Sequence, residues 1–205
     1  TNGTVKKTAI KDYANIRQSG LIAIKLDEGD ELRWIRQSSG NDEVVISTAK
    51  GQAIRFKEAD ARPMGRSARG VRGIRLRPGD QVVGMDLAAG DPNLLVMSRN
   101  GYGKLTKVVN FPTHKRGGVG IKAAVVSTKT GDLITVRSLD PDDIEVIMIS
   151  TKGQTIRVGL KDIPTLGRTT QGVRVMRLND DDSVASIGLI QEQPIIEGED
   201  EGDEA

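Results

Sequence analysis

The stretch Asn93-Leu-Leu-Val-Met-Ser98-Arg-Asn-Gly101-Tyr-Gly-Lys104-Leu-Thr-Lys107-Val-Val-Asn-Phe-Pro-Thr-His114-Lys-Arg-Gly-Gly118-Val-Gly-Ile-Lys122 contains the whole architectural unit of the chain. Leu94 to Met97 is too short for a stable helix and lacks the alternation of a strand with one wet face. It reads as a strand buried on both faces. Asn100-Gly101 between apolar runs signals a hairpin, with the expectation that both turn residues take positive φ. The return strand carries Lys104 and Lys107, and a Gly-rich basic loop follows.

The same unit recurs on both sides. Asn2-Gly3, Lys50-Gly51, Asn100-Gly101 and Lys152-Gly153 mark turns whose glycines lie 48, 50 and 52 residues apart. Apolar runs precede the later turns at Val44-Val45-Ile46 and at Ile144 to Ile149; the first turn has no incoming run. Basic return strands follow, with Lys6 and Lys7, Arg55 and Lys57, Lys104 and Lys107, and Arg157 at corresponding places. A loop ending in glycine then leads into alternating residues at Gly20 to Leu26, Gly70 to Leu76, Gly118 to Lys122 and Gly172 to Leu178. A turn at Gly29-Asp30, Gly79-Asp80 and Gly131-Asp132, replaced by Asp180-Asp181 in the last copy, has an aspartate placed to cap its own turn. Closing strands are expected at Leu32 to Ile35, Val82 to Leu87, Leu133 to Val136 and Val184 to Leu189. Four strands per repeat imply an all-β, propeller-like radial array of four-stranded antiparallel blades.

The 205 residues suffice for a sizeable core. With no cysteine there is neither a disulfide framework nor a thiolate metal site, which fits a reducing cytoplasm. No apolar run approaches the roughly 20 residues of a membrane helix, so no membrane partner is expected. The net charge of +2 conceals an asymmetry, because residues 191–205 hold seven acids and no Lys or Arg. Residues 1–190 therefore set all 30 basic residues against 21 acids, a charge of +9. The reading is about four blades over 1–190, the first truncated so that the array is incomplete at its N-terminus, and a disordered acidic tail over 191–205.

Catalytic options are thin. His114 is the only histidine, and a lone surface histidine is a poor general base. Gly101-Tyr-Gly-Lys104-Leu-Thr106 lacks the spacing of a phosphate-binding loop and enters a strand, not a helix. Gly118-Val-Gly120 lacks the βαβ context of a dinucleotide site. Tyr13 and Tyr102 suit packing or turn roles. Neither catalytic residues, nor a metal site, nor a cofactor is expected in this chain.

The recurring basic positions carry the functional signal. Lys6, Lys7, Arg55, Lys57, Lys104, Lys107 and Arg157 fall on return strands. Arg66, Arg69, Arg72, Lys115, Arg116, Lys122, Arg168, Arg174 and Arg177 fall in or just after the loops. If equivalent positions face one rim, they form a positive track matched to a phosphate backbone. Aromatic residues are 2% of the chain, too few for the stacking platforms of single-strand binders, so duplex nucleic acid fits better. A duplex following a curved rim must bend, at a cost of about 1–6 kcal/mol for 40–90° over 20–30 bp, so contacts must be spread over several blades.

In combination, Thr1-Asn-Gly-Thr-Val-Lys-Lys-Thr8, Gly29-Asp-Glu-Leu32, Ile54-Arg-Phe-Lys-Glu58, Gly70-Val-Arg-Gly-Ile-Arg-Leu76, Asn100-Gly-Tyr-Gly-Lys104 and Gly167-Arg-Thr-Thr-Gln-Gly-Val173 resemble the C-terminal domain of the DNA gyrase A subunit. The resemblance implies a β-pinwheel of swapped-strand blades, of which this chain supplies roughly the last four. It also implies wrapping of double-stranded DNA within an assembly of two A and two B subunits, where ATP and Mg²⁺ serve sites outside this chain and the bacterial cytoplasm is the setting. The family's box, Gln-Arg-Arg-Gly-Gly-Lys/Arg-Gly, has a partial echo at His114-Lys-Arg-Gly-Gly-Val-Gly120. The related domain of topoisomerase IV and a propeller serving as a protein-interaction platform are the alternatives.

Overall fold

The computed structural model describes residues 1–90, 92–140 and 143–191. They form strands β1 (Thr4–Val5), β2 (Glu43–Thr48), β3 (Gln52–Lys57), β4 (Val71–Arg72), β5 (Val82–Leu87), β6 (Asn93–Ser98), β7 (Tyr102–Lys107), β8 (Ile121–Lys122), β9 (Leu133–Ser138), β10 (Asp143–Ser150), β11 (Thr155–Gly159), β12 (Val173–Arg174) and β13 (Val184–Gln191). Gln191 thus closes the last strand; the rest of the expected tail lies outside the described residues. None of the described helices is long and apolar enough to cross a membrane.

The strands assemble into antiparallel sheets of order β5-β2-β3-β8, β9-β6-β7-β12, β13-β10-β11 and β1-β4. In the second and third repeats the incoming strand pairs with both its hairpin partner and the closing strand, as Leu95 does with Leu105 and Arg137. The fourth strand comes from the following repeat: β8 pairs with β3 through Gln52–Lys122 and Ala53–Ile121, and β12 with β7 through Val173–Gly103 and Arg174–Tyr102. The swapped strand implied by the resemblance is therefore present. Closing strands of neighbouring sheets meet at the centre. A Cβ on Gly84 of β5 would stand 2.4 Å from the Val136 carbonyl of β9, so only glycine fits there. The swapped strands form the outer edge.

Alternation along the incoming strands distributes the core between sheets. Val45, Leu94 and Val96 enter one cluster with Phe111 and Val136, whereas Leu95 and Met97 enter another with Val146, Met148 and Met176. Ile46 faces a third with Ile54, Phe56 and Ile74. The sheets built on β2 and β6 are buried on both faces, as their unbroken apolar runs require. By contrast, β10 buries only the face of Val146 and Met148 and leaves Ile149 on the other face 41% exposed, so the run from Ile144 to Ile149 is dry on one side only.

Four expectations need correction. First, Leu32 to Ile35 and Gly20 to Leu26 form no strand. In later repeats the closing strand pairs with the incoming strand, and the swapped strand pairs with the preceding repeat's return strand; neither partner is present for the first repeat, so its backbone groups have no ladder. Second, only the glycines of the hairpin turns have positive φ, as at Gly51 (81°) and Gly101 (77°). The Gly101 N–H donates to the Ser98 carbonyl at 3.1 Å, a type I turn closed by a left-handed glycine, which explains why Lys50 and Lys152 substitute for asparagine. Third, Gly120, not Gly118, is the counterpart of Gly70 and Gly172. All three have positive φ, and a Cβ on each would stand 2.5 Å from a carbonyl of the preceding return strand.

Fourth, the last turn uses Asp181 (φ 58°) in place of glycine and Asp182 as its acceptor. Asp182 accepts from the Lys152 and Ser183 N–H groups and from the Thr151 hydroxyl, so it ties the closing turn to the hairpin turn beyond capping its own. Partial burial raises its pKa, but hydrogen bonds from Ser150, Thr151, Ser183 and Lys152 hold it down at about 2. Asp80 binds the Lys50 and Gln81 N–H groups in the same way. Asp132 is displaced by one residue and pairs with Lys50 at 2.9 Å instead, while the Asn100 side chain binds the Thr128 and Lys129 carbonyls.

Candidate nucleic-acid interface

With the loops in register, the basic residues separate into groups of different character. Arg72, Lys122 and Arg174 occupy the same second position of β4, β8 and β12, and all three are exposed on the outer edge. An amphipathic cation on a short edge strand has no apolar face to join, so it stands in solvent. Arg174 is steadied by the ring of Tyr102: its guanidinium lies 5.6 Å from the ring centroid and donates to the hydroxyl at 3.1 Å. Lys129 approaches the same ring at 5.5 Å. Lys57 and Lys107 end their return strands, exposed and equivalent, and Lys115 is exposed at the loop before β8. Arg75 and Arg177 occupy one further exposed equivalent position, five residues after Gly70 and Gly172; Arg75 is absent from the candidate set although the alignment of Gly70 to Leu76 with Gly172 to Leu178 already places it opposite Arg177.

A second group does not face outward. Lys104 is 1% exposed. Its ammonium donates to the carbonyls of Gly167, Arg168 and Thr170 at 2.7–3.0 Å. Burial first, and the Arg168 charge second, push its pKa down to about 8. Lys6, at the equivalent place, donates to the carbonyls of Ala23 and Arg66. In the intervening repeat the position is Ile54. These lysines fill loop interiors with donors for carbonyls that no ladder satisfies, so Lys104 is corrected from rim to core.

A third group is tied down, either by an acidic partner or by backbone carbonyls. Arg55 pairs with Glu43 and donates to the Val108 carbonyl at 3.2 Å. Lys7 meets the buried Glu58 at 2.8 Å. Burial raises the Glu58 pKa, yet hydrogen bonds from Lys7 and the Asp42 N–H bring it below the ordinary range. Arg157 pairs with Glu145 and Arg69 with Asp27. Arg66, Arg116 and Arg168 donate to backbone carbonyls of the preceding repeat: Ile22 (3.1 Å), Arg72 (2.9 Å) and Lys122, respectively. The outer edge therefore presents a periodic row of cations suited to a polyanion with regularly spaced charges, anchored by the arginine and lysine contacts beneath it. Among the described residues no group of three or more His, Cys, Asp or Glu side chains is placed to hold a metal ion.

The family model for the DNA gyrase C-terminal domain, of β-propeller type, matches residues 1–39, 42–89, 92–140 and 145–191, one match per repeat. Over 97% of this chain the sequence is 39% identical to the DNA gyrase A subunit of Staphylococcus aureus (strain MRSA252) and 41% identical to that of Aminobacterium colombiense. The chain spans about a quarter of those proteins, 23% and 24% of their lengths. A solved DNA gyrase A C-terminal domain superposes with a TM-score of 0.76 at 26% identity, over 92% of this chain and 62% of that one. The C-terminal domain of a DNA topoisomerase IV superposes with a TM-score of 0.85 at 25% identity, over 93% and 59%. Repeat by repeat, this chain belongs to the β-propeller family of DNA gyrase C-terminal domains.

Proposed function

We propose that this chain binds double-stranded DNA along its outer edge and wraps it, as part of the A chain of a gyrase. The observation that supports the reading is the recurrence of an exposed cation at one position of three successive outer strands, Arg72, Lys122 and Arg174. Equivalent cations on a curved edge, one per repeat, contact phosphates at intervals along the duplex, each releasing counterions, and their summed attraction offsets the bending cost. The assembly would comprise two such A subunits and two B subunits in the bacterial cytoplasm. It would use ATP and Mg²⁺ at sites on other parts of the enzyme, and the wrap would set the sign of supercoiling. Topoisomerase IV is the second reading, favoured by the higher TM-score of its C-terminal domain, 0.85 against 0.76. The relatives of about 40% identity are gyrase A subunits, which supports the first.

The test is binding of a duplex as a function of salt, with a relaxed plasmid closed in the presence of the chain. Wild type is expected to constrain supercoils. The triple variant Arg72→Gln, Lys122→Gln, Arg174→Gln should flatten the slope of log K against log salt by about 2–3, at roughly 0.9 per phosphate contact. An unchanged slope would remove the outer edge as the contact surface.

A further inference from the structure

We infer that Arg66, Arg116 and Arg168 are positioning residues that clasp each repeat to the one before it and so set the spacing and angle between successive outer cations. The inference rests on the DNA-wrapping reading for its consequence, though the clasp itself stands on geometry. The three arginines are equivalent, each four residues before the left-handed glycine of its loop: Gly70, Gly120 and Gly172. Each sends a guanidinium N–H to the backbone carbonyl of an equivalent residue one repeat earlier: Ile22, Arg72 and Lys122. In the last two joints that residue is the one whose side chain forms the outer row. The cation row and the clasp thus share a backbone unit, and a shift of the clasp displaces the cation directly.

A backbone bond accompanies each clasp. The N–H groups of Lys25, Arg75 and Val125 donate to the carbonyls of Ala68, Gly118 and Thr170 at 3.3, 2.8 and 3.2 Å. Side chain and main chain therefore pin neighbouring loops at two points, which fixes an angle where one point would leave a pivot. The joints differ below the loop. Lys6 and Lys104 hold the first and third loops from inside, whereas Ile54 stands under the second. Arg116 compensates with a second bond, its Nε donating to the Asp60 carbonyl at 2.8 Å beside the 2.9 Å bond to Arg72. A planar fork reaches both carbonyls; a lysine ammonium keeps the charge without that geometry. Wrapping depends on this, because a row of cations with free joints binds a straight duplex as well as a bent one.

The experiment compares wild type with Arg116→Lys and Lys115→Gln on three readouts. These are affinity and salt slope for a short linear duplex, linking-number change per bound chain on a closed plasmid, and exchange of the Arg75 amide. For Arg116→Lys we expect affinity within about twofold, an unchanged salt slope, at least a roughly twofold loss of linking-number change, and at least about tenfold faster exchange at Arg75. Lys115→Gln, a neighbouring exposed charge, should flatten the slope by about 1 and leave the amide untouched. Arg168→Lys with the Val125 amide repeats the test at the next joint. Wild-type linking number and exchange in both arginine variants would overturn the clasp. A loss of affinity and slope without faster exchange would overturn it too, making the arginine a phosphate ligand. If wild type fails to bind duplex, the wrapping reading falls, and the amide exchange still decides the clasp.

Discussion

The first repeat and the third carry the same motifs and fold differently. Gly20 to Leu26 and Leu32 to Ile35 stay irregular, with Ile22 70% and Ile35 74% exposed, while their counterparts around β8 and in β9 are paired. An apolar cleft of about 580 Å³ opens between the two segments and β2–β3, lined by Val5, Trp34, Val44, Ile46, Phe56 and Met85. In the third repeat the corresponding space is filled by Leu94 to Met97. A β motif here has no autonomous strand propensity: the closing motif becomes a strand when the incoming strand of its own repeat pairs with it, and the swapped motif when the return strand of the preceding repeat does.

The largest effect in that contrast should come from replacing one large apolar side chain in each region. Phe111 is 0% exposed at the centre of a cluster, so Phe111→Ala should cost about 3–5 kcal/mol in chemical denaturation. Ile35→Asn should stay within about 0.5 kcal/mol, the range of surface changes. Equal costs would mean that the first repeat is as tightly integrated as the third.

The loop glycine probes the same contrast at smaller amplitude. Gly20 and Gly120 share a left-handed backbone, φ 76° and 73°, yet a Cβ on Gly20 meets nothing within 4 Å and one on Gly120 would lie 2.5 Å from the Ala53 carbonyl. Gly20→Ala should cost only the conformational strain, about 1–2 kcal/mol. Gly120→Ala should add about 1–3 kcal/mol for displacing the backbone of β3, measured by the same denaturation series.

The smallest effect is expected from pH and distinguishes the loop over Lys104 from the loop over Ile54. Because the folded pKa is about 8 against an ordinary 10.5, the folded state releases this proton first. The unfolded chain then binds more protons, so the Lys104 contribution rises from pH 8 to about 10.5 and is flat below pH 8. Lys104→Met, tested against wild type at about pH 7 and about pH 10, should be destabilised at both and show the wider deficit at the higher pH. Ile54→Met should show no pH-dependent difference.

Much of this was legible from residues. The glycine periodicity located the repeats, and the unbroken runs at Leu94 to Met97 and Val44 to Ile46 announced burial on two faces, because alternation is lost when both sides of a strand are dry. The candidate cations were found as a set, but their sorting was hidden. Nothing local distinguishes Lys104, which donates to three carbonyls, from Lys107, which is exposed; the two differ only in which way a strand residue faces, and the face is set by the loop that packs over it. Arg116 looked like a phosphate ligand because its acceptors, Asp60 and Arg72, are 56 and 44 residues away.

Residue order was enough to establish the repeat, the strand-rich class and the turn glycines, because each of these depends on local conformation or on periodic chemistry; it named Arg72, Lys122 and Arg174 as candidates without showing that they share one position. Packing in three dimensions settled which repeat each short strand joins, which motifs stay unpaired, and which cations face solvent. Those outcomes depend on partners supplied from another repeat, and a hydrogen-bonding edge or a buried carbonyl has no signature in the residue that will meet it.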